Sequence, residues 1–227
     1  MGINNKFGTL YGVGMGPGDE ELLTIKAVNT IKKCQVIMAP SSKEGGKSTA
    51  LSIAKNFIGK DKEIIVQHFP MGGAEQEKKI FDAFKEVEQR LMNGEDVAFL
   101  TIGDPFVYST YIYLLNYIRE KGYTVETIPG ITSFCAAASL AGEKIVIGNE
   151  RVCIMPASQI DKLTDEKFIV IMKVYRRERE VLDFLEKNKF TYVYIKRAYR
   201  EGQKVLRSRE EILENSDYMS LIIASRE

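Results

Sequence analysis

The sequence predicts an α/β protein of two domains, a mainly parallel sheet over residues 1–143 and a mixed sheet over residues 144–227. Three observations lead there. Short β-rich apolar runs alternate with amphipathic helical stripes through the first part of the chain, the pattern of a parallel sheet covered on both faces. Beyond Ala141 the strand candidates crowd together around Arg200 and Gly202, and close pairs imply hairpins. The length of 227 residues allows one large domain or two small ones at roughly 100–200 residues per domain, and the change of rhythm favours two.

Each element has a local reason. Residues 9–14 form a first apolar strand, and a glycine turn leads from it into residues 20–33, where Leu22, Leu23, Ile25, Ala27, Val28 and Ile31 make a helical stripe. A strand at 35–39, a helix at 48–58, a strand at 63–67 and an amphipathic stretch at 73–92 repeat the pattern. It continues with a strand at 96–100, a helix at 108–121, a strand at 124–127 and a helix at 131–140. In the second domain the strands fall at 151–155, 168–173, 191–196, 204–206 and 219–224, after the Ala-rich segment that ends at Gly142.

Bulk properties narrow the function classes. Lys and Arg total 32 against 31 for Asp and Glu, so no global field draws in nucleic acid or a membrane surface, and specificity belongs in a pocket. Cys34, Cys135 and Cys153 are far apart and odd in number, which argues against a disulfide framework and a structural zinc site. No metal is expected. The polar start and the lack of a run near 18 apolar residues point to a cytoplasmic protein.

Two glycine-containing loops resemble nucleotide motifs and fail their tests. The first, Gly12-Val-Gly14-Met-Gly16-Pro17-Gly18-Asp19, follows the first strand, where open α/β sheets place ligands. Pro17 occupies the position where a dinucleotide fingerprint needs its third glycine, and no acidic residue follows the second strand near Met38 and Ala39 to hold a ribose hydroxyl. The second, Gly46-Lys47-Ser48, ends like a phosphate loop but has Ser41 where the first glycine belongs.

Three further loops close strands: Thr101-Ile-Gly103-Asp104-Pro105-Phe-Val107-Tyr108-Ser-Thr110, then Pro129-Gly130-Ile131-Thr132-Ser133-Phe134, and Val170-Ile-Met172-Lys173. With the first glycine loop, their order and spacing resemble the tetrapyrrole methylase family, which includes cobalamin and sirohaem pathway enzymes and diphthine synthase. Gly8 to Gly14, Phe69-Pro70-Met71 and the Asp104 loop look most like the branch that methylates C20 of precorrin-2 or cobalt-factor II.

That resemblance implies a cleft between the two domains and a methyltransferase using S-adenosylmethionine, with S-adenosylhomocysteine as product, a tetrapyrrole substrate held on the first domain, and a homodimer. It also implies site residues. Ile102, Gly103, Asp104 and Val107 would line the methionine part of the cofactor; Thr132 and Ser133, at a helix start, would meet its carboxylate. Met172 and Ala198 would meet adenine and ribose through the backbone, although Ala198 stands where several relatives carry glycine. Pro17 would sit at the mouth shared by cofactor and substrate.

The catalytic residues are unassigned, with His68, Asp104 and Tyr108 as candidates. His68 is the only histidine, and its ordinary pKa suits proton transfer. Asp104 would orient loop and substrate, and Tyr108 would pack on the macrocycle or bond to the cofactor. Eight substrate carboxylates call for cations. Lys26, Lys43, Lys47, Arg176 and Arg177 are candidates, whereas the clusters 176–179 and 196–200 read equally as solvated faces. Two alternatives stay open: another substrate on the same fold, as in diphthine synthase or a ribosomal RNA methylase, and a non-catalytic nucleotide-binding module.

Overall fold

The computed structural model describes residues 7–41, 45–69 and 76–227. They divide into two units, Met1–Thr132 and Ser133–Glu227. In the first, β1 (Thr9–Gly14), α1 (Ile25–Lys33), β2 (Val36–Ser41), α2 (Thr49–Ala54), β3 (Glu63–His68), α3 (Gln76–Met92), β4 (Val97–Thr101), α4 (Tyr111–Glu120) and β5 (Thr124–Ile128) alternate along the chain. The five strands are all parallel, in the order β3-β2-β4-β1-β5.

The period-two alternation of the strands sorts their side chains to two faces. Leu10, Val36, Met38, Val97 and Phe99 pack on one face with Phe84, Val87 and Leu91 of α3 and Tyr111, Leu114 and Ile118 of α4. Tyr11, Val13, Ile37, Ala39, Ala98 and Leu100 pack on the other with Ala27 and Ile31 of α1 and Ala50 and Ile53 of α2. The sheet is thus wound on both sides, and the loops leaving β1, β4 and β5 share its C-terminal edge.

Helix starts are set by local polar groups. The expected helix at 20–33 is broken at Thr24, whose hydroxyl accepts from the Ala27 amide while its own backbone stays extended. Only a 3-10 turn, Glu20–Leu22, precedes it. The expected helix at 108–121 begins at Tyr111, because Tyr108 has a φ of 50°. Part of the expected 73–92 stretch, together with Pro70, Met71 and Lys43, lies outside the described residues.

The second unit contains α5 (Ser133–Ala141), β6 (Val152–Pro156), β7 (Phe168–Met172), α6 (Glu178–Lys187), β8 (Thr191–Lys196), β9 (Lys204–Leu206), α7 (Arg209–Glu214) and β10 (Ser220–Ser225). Its sheet runs β6-β7-β10-β8-β9 and is mixed: β6 and β7 are parallel, and the remaining pairs are antiparallel. The hairpin expected around Arg200 and Gly202 is the β8–β9 pair.

The division between the units falls ahead of the expected boundary at 143/144, because α5 belongs to the second sheet. Ala137 and Ala138 of α5 pack on Val193, Ile195, Leu221 and Ile223 of β8 and β10. On the opposite face Val181, Leu182 and Leu185 of α6 and Ile212 of α7 cover Ile169, Ile171, Tyr194 and Ile222. No helix among the described residues is long and apolar enough to cross a membrane.

Candidate functional site

Three loops at the C-terminal edge of the first sheet are tied together by their backbones. The Met15 amide donates to the Thr101 carbonyl at 2.8 Å, and Gly16 and Gly103 exchange amide-to-carbonyl bonds of 3.2 and 2.8 Å in an isolated antiparallel bridge. Two glycines permit a closer approach still. A Cβ on Gly14 would lie 2.4 Å from the Gly130 nitrogen, and one on Gly130 would lie 2.1 Å from the Gly103 carbonyl oxygen. The sequence suggested that such glycines admit ligand; at Gly14 and Gly130 the space is filled by a neighbouring loop instead.

Asp104 completes this knot. Its Oδ1 accepts from the Phe106 amide at 2.9 Å and its Oδ2 from the Gly130 amide at 3.0 Å, so one carboxylate joins the β4 loop to the β5 loop. Both oxygens accept backbone donors. Gly103 likewise has its amide and carbonyl engaged by Gly16.

Of the other expected residues in this unit, Pro17 is buried, while Ile102 and Val107 are half-buried on the loops just described. Tyr108 is exposed on the same loop. The Thr101 and Thr132 hydroxyl oxygens are buried without a hydrogen-bond partner among the described residues. An orphaned buried hydroxyl is costly, on the order of 1–3 kcal/mol, and marks a place where a polar ligand group is welcome. In the sequence Thr101 heads the loop after the fourth strand and was given no role of its own.

Beneath the loops, Tyr111 is fully buried. Its ring occupies the space above Gly12, and its hydroxyl lies 2.7 Å from Thr127 Oγ1. Burial pushes its pKa up. His68 stands elsewhere, at the end of the edge strand β3 in register with Ser41. Two strand spacings, about 10 Å, separate β3 from β4. Its Nδ1 is buried and has no hydrogen-bond partner among the described residues.

In the second unit, Met172 ends β7 and pairs in register with Pro156 and Leu221, and Leu221 faces Ile195 on β8. Ala198 follows β8, and both Met172 and Ala198 pack at the margin of the cluster that contains α5. The backbone around them is unusual. Lys173 has a φ of 56°, and Ala198 is flanked by Arg197 at 50° and Tyr199 at 57°. Side chains rarely adopt this region, and such strain concentrates at ligand sites. Ser133 is the first residue of α5.

Several expected cations are already engaged. Lys26 pairs with Glu126 at 2.6 Å, Arg177 with Glu180 at 2.6 Å, and the Arg176 guanidinium lies 5.1 Å from the Tyr175 ring centroid. The Gly46-Lys47-Ser48 segment is a helix start: Ser48 is buried and its hydroxyl accepts from the Leu51 amide. Among the described residues no group of three or more His, Cys, Asp or Glu is arranged to hold a metal ion.

In the first unit, the orphaned hydroxyls of Thr101 and Thr132 are groups that a polar ligand with donors and acceptors could meet. Comparison with known proteins gives the family. The profile of the tetrapyrrole (corrin/porphyrin) methylases matches residues 9–214. A probable cobalt-precorrin-2 C(20)-methyltransferase of Methanocaldococcus jannaschii is 36% identical over 232 residues, covering 99% of each chain. The cobalt-precorrin-2 C(20)-methyltransferase of Salmonella typhimurium is 34% identical over 177 residues, 75% of this chain and 74% of that protein. The fold matches that of a uroporphyrin-III C-methyl transferase from Thermus thermophilus, solved with S-adenyl homocysteine, at a TM-score of 0.72 and 19% identity, over 96% of this chain and 98% of that one.

Proposed function

Because the chain belongs to the tetrapyrrole methylases, we propose that it transfers a methyl group from S-adenosylmethionine to C20 of precorrin-2 or its cobalt complex in cobalamin biosynthesis. The observation that carries this reading is the end-to-end likeness to a C20-methyltransferase, 36% identity over 99% of both chains. The loops of the first sheet support it, since their backbones converge at the edge where open α/β sheets bind ligands.

When bound, the methyl donor supplies an activated methyl on a sulfonium whose carbon–sulfur electron pair stays on sulfur, while the tetrapyrrole carbon that takes the methyl would give up a proton. The protein's share is alignment. Holding the two reactants about 3–3.5 Å apart and in line contributes several kcal/mol without a strong acid or base.

On this reading Thr132 and Ser133 meet the donor's carboxylate, Ile102 and Val107 flank its methionine chain, and Met172 and Ala198 border its adenine and ribose. Pro17 stands at the mouth. Asp104 acts through the loops, as the clamp that keeps Gly130 and Phe106 in place. Thr101 joins the set through its orphaned hydroxyl. We extend the reading to a homodimer working in the cytoplasm; light scattering would report the mass of two chains, and a monomer at working concentration would refute that part.

Incubation with S-adenosylmethionine and each form of the substrate, followed by mass spectrometry, tests the activity. A gain of one methyl on the tetrapyrrole is expected. An unmodified tetrapyrrole alongside a labelled protein or RNA would move the chain to another substrate class.

A further inference from the structure

Four aromatic rings of the first unit, Phe69, Phe99, Tyr111 and Phe106, follow one another from its core to its surface. Phe69 meets Phe99 edge to face with ring centroids 5.7 Å apart, Phe99 meets Tyr111 at 6.1 Å, and Tyr111 meets Phe106 at 6.2 Å with the ring planes 63° apart. The inner three are buried, whereas Phe106 is 54% exposed. The run therefore ends in solvent. Aromatic pairs at such separations are favourable beyond the apolar area they bury, so Tyr111 steadies one side of Phe106 while the rest of the ring stays uncovered.

The backbone of Phe106 is pinned as well. Its amide donates to Asp104 Oδ1 at 2.9 Å, Oδ2 of the same carboxylate holds the Gly130 amide at 3.0 Å, and the Val107 amide donates to the Asp104 carbonyl at 3.2 Å. A lone apolar side chain at a surface is ordinary. Here Tyr108 and Tyr113 are exposed too, in the same loop and the first turn of α4, so a short stretch carries a group of uncovered rings. That stretch follows β4 at the C-terminal edge of a parallel sheet, where such folds take their ligands.

We propose that Phe106 is the ring on which the face of the tetrapyrrole macrocycle stacks. The inference rests on the function proposed above and names a contact for the substrate's conjugated ring system rather than for its acid arms. Phe106, Asp104 and Gly130 all belong to the first unit, on which the family resemblance places the substrate. A flat conjugated surface suits an aromatic ring in offset stacking. A ring already held by Tyr111 and by its own amide loses little freedom when the ligand arrives.

Phe106→Ala, Phe106→Leu and Phe106→Tyr test this in the full chain, with the Kd for cobalt-factor II read from its visible absorption while S-adenosylhomocysteine is bound. Phe106→Ala should raise that Kd, and the KM, about tenfold or more and leave kcat within about threefold. Phe106→Leu keeps apolar bulk without the flat face and should recover only part of the loss, while Phe106→Tyr should bind within about threefold of wild type. The Kd for S-adenosylhomocysteine should hold in all three, and melting temperatures should stay within about 3 °C. An unchanged Kd for cobalt-factor II in Phe106→Ala would overturn the proposal. So would Phe106→Leu binding as well as wild type, which would reduce the ring to apolar cover, or a larger fall in its melting temperature, which would make the ring structural. A matching loss of S-adenosylhomocysteine affinity would give the ring to the methyl donor, and loss of the mass of two chains in light scattering would give it to a second copy of the chain; either overturns it. Wild-type protein separates the two claims: if it fails to methylate the tetrapyrrole, the function falls, whereas a methylating wild type with an unchanged KM in Phe106→Ala removes the stacking contact alone.

Discussion

A single carboxylate, on Asp104, and two missing Cβ atoms, at Gly14 and Gly130, hold the first unit's loops in register. Asp104→Ala removes the acceptor for two backbone amides, which should cost about 2 kcal/mol or more in urea unfolding and weaken donor binding at the same time. Asp104→Asn should fall between, since its amide keeps one oxygen. For Gly130→Ala, the new methyl would meet the Gly103 carbonyl, so titration calorimetry should show at least about a tenfold loss of S-adenosylhomocysteine affinity. Wild-type affinity in that variant would mean that the loop knot is not what shapes the donor site. His68→Asn should leave kcat within about threefold, whereas the loss of a general base would cost about a hundredfold or more. Thiol chemistry offers an independent check on the core. Burial pushes the Cys34 pKa up to about 12, so at pH 8 it stays protonated and should resist maleimide until the protein unfolds, while exposed Cys135 reacts.

At the scale of elements, the starts and stops carry the same logic. Ser48 looked in sequence like the end of a phosphate loop and is an N-cap. Ser48→Ala should therefore cost about 1 kcal/mol of stability and leave donor binding untouched, and measurable ATP affinity lost in that variant would restore the discarded motif. The first unit was legible because each of its first four strands is followed by a helix that packs on the sheet, so local periodicity and topology agree. The β1, β4 and β5 loops, with Gly14, Gly103, Asp104 and Gly130, stood out by their turn residues. The orphaned hydroxyls of Thr101 and Thr132 did not, since isolation of a buried atom is a property of its surroundings. α5 was read with the first domain because Ser133–Ala141 continues the helical rhythm; its partners, Val193 and Leu221, come from much later in the chain. The insertion of β10 between β7 and β8 was hidden for the same reason. Arg200 looked like part of a solvated basic cluster, and only the burial of its Nη1, without a partner among the described residues, sets it apart.

The described residues form two sheets, each with helices on both faces and its own apolar core. Ligand linkage makes a global prediction: S-adenosylhomocysteine at about a hundredfold its Kd should stabilise the protein by about 2.7 kcal/mol, a rise of roughly 5–10 °C in Tm, and ATP should give none. The central claim is transfer of the donor's methyl to one carbon of a tetrapyrrole, and carbon-13 NMR of the product made with methyl-labelled S-adenosylmethionine tests it most directly. A single enriched methyl attached at C20 is the expected result. Enrichment at another ring position, or an unlabelled tetrapyrrole after complete incubation, would contradict it.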